Sequence, residues 1–383
     1  MSMHIINGGR LPIKTWAMEI EGGALQQARN LASLSFAFSH IALMPDVHEG
    51  YGMPIGGVLA TTGGFIIPNA VGVDIGCGVV ALQTAAAAVT PQQVRQILAG
   101  ARELIPVGFK HHRQPQPWDG FAAAPAIPII LQELASARRQ LGTLGGGNHF
   151  YSVERGSDGH IWLLVHSGSR NIGLKVASYY NKLAKEINNK RKLVPREFDL
   201  APLNLAEDTG KAYFAAMQFC LDFARANREL LARRFHGAFA AVVPAGEVLS
   251  RVEIHHNYAV QEQHYHEDVV VHRKGAISAR AGERGVIPGS MGTPSYIVEG
   301  LGNRESFNSA SHGAGRSMSR SEANRVITEE MADAAMRGIV CTPWNGDFAE
   351  APMAYKDIER VMDCQRDLVK PLVKLEPLGV MKG

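Results

Sequence analysis

Glycine constrains this chain more than any other residue. It fills 40 of 383 positions, about a tenth against a usual ~7%, and it falls in clusters between short apolar runs. The first eighty residues carry the pattern most densely, in HIALMPDVHEGYGMPIGGVLATTGGFIIPNAVGVDIGCGVVAL. The runs Ile41–Met44, Gly56–Thr61, Phe65–Ile67 and Val79–Leu82 read as buried strands, because they are apolar without alternation and too short for helices. The glycines and prolines between them mark tight turns and places where backbone passes close to another group.

Helical patterns follow. Thr90 reads as an N-cap with Pro91 in the first turn, opening a helix to about Leu104, and a second helix is expected at roughly 128–140. The polar loop 111–120, HHRQPQPWDG, separates them. Ile161–Val165 returns to strand. Two long helices are expected near 174–190 and 208–235, with Tyr213, Met217, Cys220, Ala224 and Leu231 on one apolar face. Glycine-rich strands resume after 250, and further helices are expected at 320–338 and 354–370. Since strand-and-glycine segments flank the helices on both sides, the sequence reads as one interwoven α+β domain over 1–383, with a helical insert at 174–250.

An apolar fraction of 46% excludes a disordered chain. A net charge of +3 permits a nucleic-acid substrate without arguing for one. No apolar run is long enough for a membrane helix. The N-terminal segment lacks the pattern of a secretory signal. The four cysteines are far apart with no CxxC, so a reduced, cytoplasmic setting is expected.

Several strand ends carry side chains that bind metals or act as nucleophiles. They are Asp46-Val-His48, Asp74-Ile-Gly-Cys77, Gly145-Gly-Gly-Asn148-His149, His166-Ser-Gly-Ser-Arg170, His255-His256-Asn257 and Ser311-His312-Gly-Ala-Gly-Arg316. Singly, each has an ordinary structural explanation: a histidine hydrogen-bonded in a turn, an aspartate capping one, a small buried thiol. Together, one thiolate, one carboxylate and the imidazoles of His149, His166 and His256 make a ligand set for two divalent metals bridged by sulfur. Such mixed ligation suits manganese, zinc, iron or cobalt better than magnesium.

A second theme is anion binding. GGGN, HSGSR, PGSMG and HGAGR offer backbone N–H groups to phosphate, with Arg170, Arg273, Lys274, Arg316 and Arg320 nearby in sequence. There is no GxxxxGK[ST], KxDG, HExxH or GxSxG. Any covalent handling of a nucleotide would therefore fall to a histidine, whose neutral imidazole is nucleophilic near pH 7.

The segments MPDVHEGYGMPIGGV, GVDIGCGV, LGTLGGGNHF, HSGSRNIG, HHNYA, RKGAISARAG, IPGSMGTPSYIV, SHGAGRSMSR and PMAYKDI closely resemble, in order, the RtcB-type RNA-splicing ligases. The resemblance implies an α+β RtcB-like fold around a deep metal-containing cleft. The activity it implies is a GTP- and manganese-dependent joining of an RNA 3′-phosphate or 2′,3′-cyclic phosphate to a 5′-hydroxyl, with an archease-type activator as a possible partner.

It further implies that His312 is the guanylylated nucleophile; Asp46 and His48 are read as orienting a metal-bound water or the attacking hydroxyl, or else as bracing a turn. Asp74, Cys77, His149, His166 and His256 fall on metal positions. Asn148, Phe150, Ser152, Asn257, Pro288, Gly289, Ser290, Met291, Ser295, Gly313, Ala314, Gly315, Tyr355 and Lys382 fall on guanylate positions, with Tyr355 stacking on the base. Arg170, Lys274, Arg316 and Arg320 fall where RNA or triphosphate oxygens are held.

The chain departs from the family where GGGNHF is followed by Tyr151 and Ser152 rather than an aliphatic residue and glutamate. Ser152 thus replaces a carboxylate near the nucleotide, which bears on base preference. The loops 111–120 and 341–350 also look particular to this chain and suggest a specialised RNA-repair paralogue. Two other readings remain at this point: a dimetal phosphodiesterase without covalent nucleotidylation, and a silent RNA-end-binding protein.

Overall fold

The structure, a computed structural model, describes residues 3–244 and 246–383. Met1, Ser2 and Ala245, which the expected domain and insert include, lie outside the described residues.

Two sheets face each other. The first has six strands in the order His4–Asn7, Pro12–Thr15, Ala37–His48, Ile55–Thr61, Glu267–Lys274, Asn257–His264. The second has seven, in the order Val248–His255, Gly78–Thr84, Ile161–Ser167, Phe150–Gly156, Val369–Lys382, Ser295–Gly300, Arg284–Ile287. Within them only Pro12–Thr15 and Ala37–His48 pair in parallel.

The unbroken apolar runs have a simple cause: both faces of each sheet are covered, so alternate residues point into different cores. In the first sheet Ala42, Met44, Val58 and Ala60 meet Val79, Ala81, Trp162 and Leu164 of the second. Their neighbours Ile41, Leu43 and Leu59 point outward, onto the helix Gly22–Ser33. On the second sheet Val80, Leu82, Leu163 and Val165 point outward, onto the helices Pro91–Leu104 and Asp208–Ala240. The result is an α+β arrangement of four layers, helix–sheet–sheet–helix.

The helix Pro91–Leu104 begins as expected, with Thr90 and Gln93 closing a reciprocal capping box. The helix Pro128–Gln140 also falls where expected. The two long helices run further than expected, over Arg170–Arg191 and Asp208–Ala240. The second, at 33 residues, is about 50 Å long. Tyr213, Met217, Cys220, Ala224 and Leu231 are all buried along it. No described helix is long and apolar enough to cross a membrane.

Two expectations fail. The helix at 320–338 is two short helices, Arg320–Val326 and Glu329–Ala335, because Thr328 accepts a hydrogen bond from the Met331 amide and starts a new N-terminus. The helix at 354–370 shrinks to Ile358–Cys364, and the strand Val369–Lys382 follows it in the middle of the seven-stranded sheet. Pro371 and Pro377 lie near register shifts there, so this strand lacks a regular period-2 signal.

Candidate active site

Four neighbouring strands of the second sheet bring together the metal-type side chains. Pairing sets Gly78 opposite both His255 and Ser167, Val79 opposite His166, and His166 opposite Phe150. Cys77, His149 and His256 each sit one residue beyond their strand, and His166 at the end of its own, so all four meet at one sheet edge. A one-residue slip in any pairing would turn a ligand to the opposite face.

Cys77 Sγ lies 3.3 Å from His149 Nε2 and 3.2 Å from His166 Nε2. His166 Nε2 lies 3.1 Å from His256 Nε2, and His149 Nε2 lies 2.9 Å from Asp74 Oδ2. Gly168 packs so closely on Asp74 that a Cβ there would stand 2.1 Å from Oδ1. The Nδ1 atom of His166 is 3.0 Å from the carbonyl of Asn148, which can only accept. The ring proton is therefore on Nδ1, and the Nε2 lone pair faces the cluster.

Burial and the Asp74 charge raise the Cys77 thiol well above its usual value. Burial and His149 push His166 down to about 3, so this ring is neutral and free to ligate. Burial also opposes the Asp74 charge, but the His149 hydrogen bond and the Arg170 guanidinium outweigh it and hold the carboxyl at about 2. Cys77, His149 and His166 form a group whose ligand atoms lie within 4.8 Å of one another. The buried Asp74 Oδ1 has no hydrogen-bond partner among the described residues. A thiol, neutral imidazole and an unpaired carboxylate oxygen converging in this way fit a divalent transition metal.

The long helix Asp208–Ala240 braces these loops. The fully buried Arg228 donates to the carbonyls of Gly76 at 2.7 Å and Ser167 at 2.9 Å, and to Glu253 at 3.1 Å. Asn227 Nδ2 reaches the carbonyls of Thr143 and Gly168 at 3.2 Å each, while its Oδ1 accepts from Gly142. Two adjacent residues thus tie down the segments carrying Cys77, His149, His166 and His256. Sequence reasoning assigned them no part in the site.

His312 follows the short strand Ser309–Ser311, and its ring centroid is 4.8 Å from that of His256. Its Nδ1 lies 2.7 Å, and its amide nitrogen 3.1 Å, from Oδ2 of the fully buried Asp46. Burial opposes the Asp46 charge, but the His312 hydrogen bond outweighs it and lowers the carboxyl below its usual range. Asp46 therefore holds the histidine itself, a contact that the sequence reading did not include. Gly315 (φ 72°) makes the approach possible, since a Cβ there would stand 2.2 Å from the Asp46 carbonyl. His48 Nδ1 lies 3.0 Å from the same carbonyl oxygen, and burial lowers that imidazole to about 4.

From this dyad a cleft opens. Asn148, Phe150, Tyr355 and Lys382 line it, with Pro288, Gly289, Ser290, Met291 and Ser295. Gly313, Ala314 and Gly315 continue the wall from His312, and Arg316 and Arg320 lie at its rim. Both arginines contact the buried Glu350, at 3.3 and 3.0 Å, and Tyr355 donates its hydroxyl to the same carboxylate. The Arg316 guanidinium also lies over the Tyr355 ring, 5.2 Å from its centroid. Burial lowers the Lys382 ammonium to about 8 despite the nearby Glu350 charge.

Other expected contacts are not on the cleft wall. Lys274 donates to the backbone carbonyls of Tyr51 and Asn69. Arg273 is buried against Glu262. Arg170 lies beside His149, with Nη1 3.1 Å from its Nδ1. Asn257 bridges the Asp74 carbonyl and the Gly275 amide. Ser152 is fully buried and donates to Glu154 at 2.7 Å. Glu154, unremarked in the sequence, lines the cleft instead; the period-2 alternation from Phe150 through Ser152 was the available signal.

A histidine paired with a buried carboxylate, next to a thiol–imidazole group able to hold a metal and at the head of a cleft, fits a transferase or ligase type of site. Comparison with known proteins narrows the class. The family model described as tRNA-splicing ligase RtcB matches residues 27–123 and 120–383. The chain is 37% identical to the RNA-splicing ligase RtcB of Escherichia coli K12, over the full length of both. It is 31% identical to the tRNA-splicing ligase RtcB of Thermococcus kodakarensis, covering 94% of this chain and 91% of that protein. With the RNA-splicing ligase RtcB of Mycobacterium tuberculosis the identity is also 31%, covering 93% and 100%. The chain belongs to the RtcB family and is a ligase.

Proposed function

We propose that this enzyme joins RNA 3′-phosphate or 2′,3′-cyclic phosphate ends to 5′-hydroxyl ends, using GTP and two divalent cations, manganese first among them. The observation that carries the reading is the 2.7 Å pairing of His312 with Asp46 beside the Cys77–His149–His166–His256 cluster. Asp46 accepts a hydrogen bond from Nδ1–H, which leaves the lone pair on Nε2. His312 Nε2 then attacks the α-phosphorus of GTP; a P–N bond forms, the P–O bond to pyrophosphate breaks, and Asp46 balances the imidazolium charge. An RNA 3′-phosphate displaces the histidine to give an RNA-3′-pp-5′-G end, and a 5′-hydroxyl then displaces GMP. A cyclic end is first hydrolysed by water, which adds to phosphorus as the P–O2′ bond breaks, giving the 3′-phosphate and a free 2′-hydroxyl.

Asp74, Cys77, His149, His166 and His256 would hold the metals, which supply charge neutralisation for the phosphates. Arg316, Arg320 and Lys382 give the cleft a cationic rim suited to phosphate oxygens. The base is read as lying against Tyr355 and Phe150. Residues 1–383 are read as a single catalytic domain with 174–250 inserted in it, working in the cytoplasm on broken or spliced RNA. The support is that strands from before and after the long helices pair directly.

The test is the intact mass of the protein after incubation with GTP and manganese. One covalent guanylate is expected in the wild type and none in His312→Ala. Sealing without an adduct, or hydrolysis of cyclic phosphate alone, would replace this reading with a dimetal phosphodiesterase.

A further inference from the structure

Glu154 is the cleft residue hardest to explain by folding alone. Its side chain is buried, yet only Oε1 is engaged, by the hydroxyls of Ser152 at 2.7 Å and Ser295 at 3.4 Å. Oε2 has no partner among the described residues, although the residue lines the cleft. A carboxylate oxygen kept from water with nothing to accept is costly unless a ligand supplies the donor. Phosphate cannot be that ligand, since both groups are anionic. Strand geometry separates the two ends as well. Phe150 pairs with His166 at the metal edge, and Glu154 lies on the same strand face about 13 Å further along, the scale of an extended nucleotide.

We propose that Glu154 is the specificity residue for the base, accepting through Oε2 from the N1–H and N2–H donors of guanine, with Ser152 and Ser295 holding its other oxygen. This rests on the proposed nucleotide site and deepens it by naming the residue that chooses the purine. Adenine offers an acceptor at N1 and no amino group at C2, so it leaves Oε2 unpaired. A site built on such a bond rejects the analogue that lacks it. Burial raises the Glu154 carboxyl to about 7 against the two serine hydrogen bonds, which is consistent with an oxygen that lacks its donor. The carboxylate absent at Ser152 is thereby supplied two residues later, from the same face of the strand.

The experiment is direct titration of GMP and of AMP, with manganese, into the full chain and into Glu154→Gln. The wild type is expected to favour GMP. The variant should bind GMP about 10- to 100-fold more weakly and AMP with little change, so that the preference collapses. An unchanged GMP-to-AMP ratio in the variant, a parallel loss of both, or no GMP preference in the wild type would each overturn the inference. The isosteric glutamine should fold, as checked by its unfolding midpoint; should it not, Glu154→Asp tests the same point and is expected to keep the direction of preference with weaker GMP binding. Label transfer from GTP is measured separately. Preference without label would sink the covalent reading and leave this inference standing.

Discussion

The Nδ1 atom of His312 stands 2.7 Å from Oδ2 of Asp46, and that oxygen also accepts the backbone N–H of His312. One carboxylate oxygen therefore fixes both the position of the loop and the tautomer of the ring. Asp46→Asn should keep the fold but present an amide in place of the acceptor. Guanylate transfer to His312 is expected to slow by roughly 10³-fold or more, read as the initial rate of label incorporation. Transfer at the wild-type rate would show that the pair does not set the tautomer.

Cys77 is the residue whose sulfur lies close to both His149 and His166. Cys77→Ala should leave the sheet intact, since a small side chain replaces a small buried one, but lower the manganese retained after desalting. Elemental analysis reads the loss, and undiminished metal content would remove the thiolate from the ligand set.

Arg228 is buried among the Gly76 and Ser167 carbonyls and Glu253. Arg228→Ala leaves those groups without a donor and should cost about 3–5 kcal/mol in denaturant unfolding. Arg228→Lys should recover little of this, because one ammonium cannot span partners that a guanidinium fork reaches together. Full recovery by lysine would mean that charge alone matters at this point.

The carboxyl of Glu154 is raised from 4.5 to about 7 by burial. A folded-state pKa above the unfolded one means that the native protein holds the proton more tightly. Its stabilising contribution is full below about pH 4.5 and is lost as pH rises through about 7. Without nucleotide, the wild type should lose stability across that window relative to Glu154→Gln, measured as the difference between their urea midpoints at several pH values. Parallel curves would contradict the raised pKa.

Thr90→Ala offers a control away from the cleft. Removing half of the capping box with Gln93 should cost about 1 kcal/mol and leave guanylate transfer unchanged. A loss of transfer would mean that the helix Pro91–Leu104 supports the site more directly than its packing suggests.

What the sequence disclosed follows from which forces are local. The strand Ile161–Ser167 and the Thr90 cap were legible because apolar runs and capping residues act within a few positions. The convergence of Cys77, His149 and His166 was legible because these residue types are unusual together and their segments closely resemble a known family. The strand Val369–Lys382 was not, since prolines and register shifts blur its alternation and only its two neighbours specify it. Arg228 and Asn227 read as ordinary residues on a long helix; what makes them important is the set of carbonyls they meet, which belongs to distant loops. Glu154 was hidden for a different reason. The sequence pattern points to the missing carboxylate at Ser152, whereas the place of Glu154 on the cleft shows only in the pleat of the strand that carries both.

The place of Val369–Lys382, between Phe150–Gly156 and Ser295–Gly300, bears on how the protein is made. As the chain folds, the two halves of the larger sheet join by strand pairing only once this ribbon is laid between them. Before that joining the borders of Phe150–Gly156 and Ser295–Gly300 are unpaired on one side, and a helper that shields exposed strand borders would matter most then.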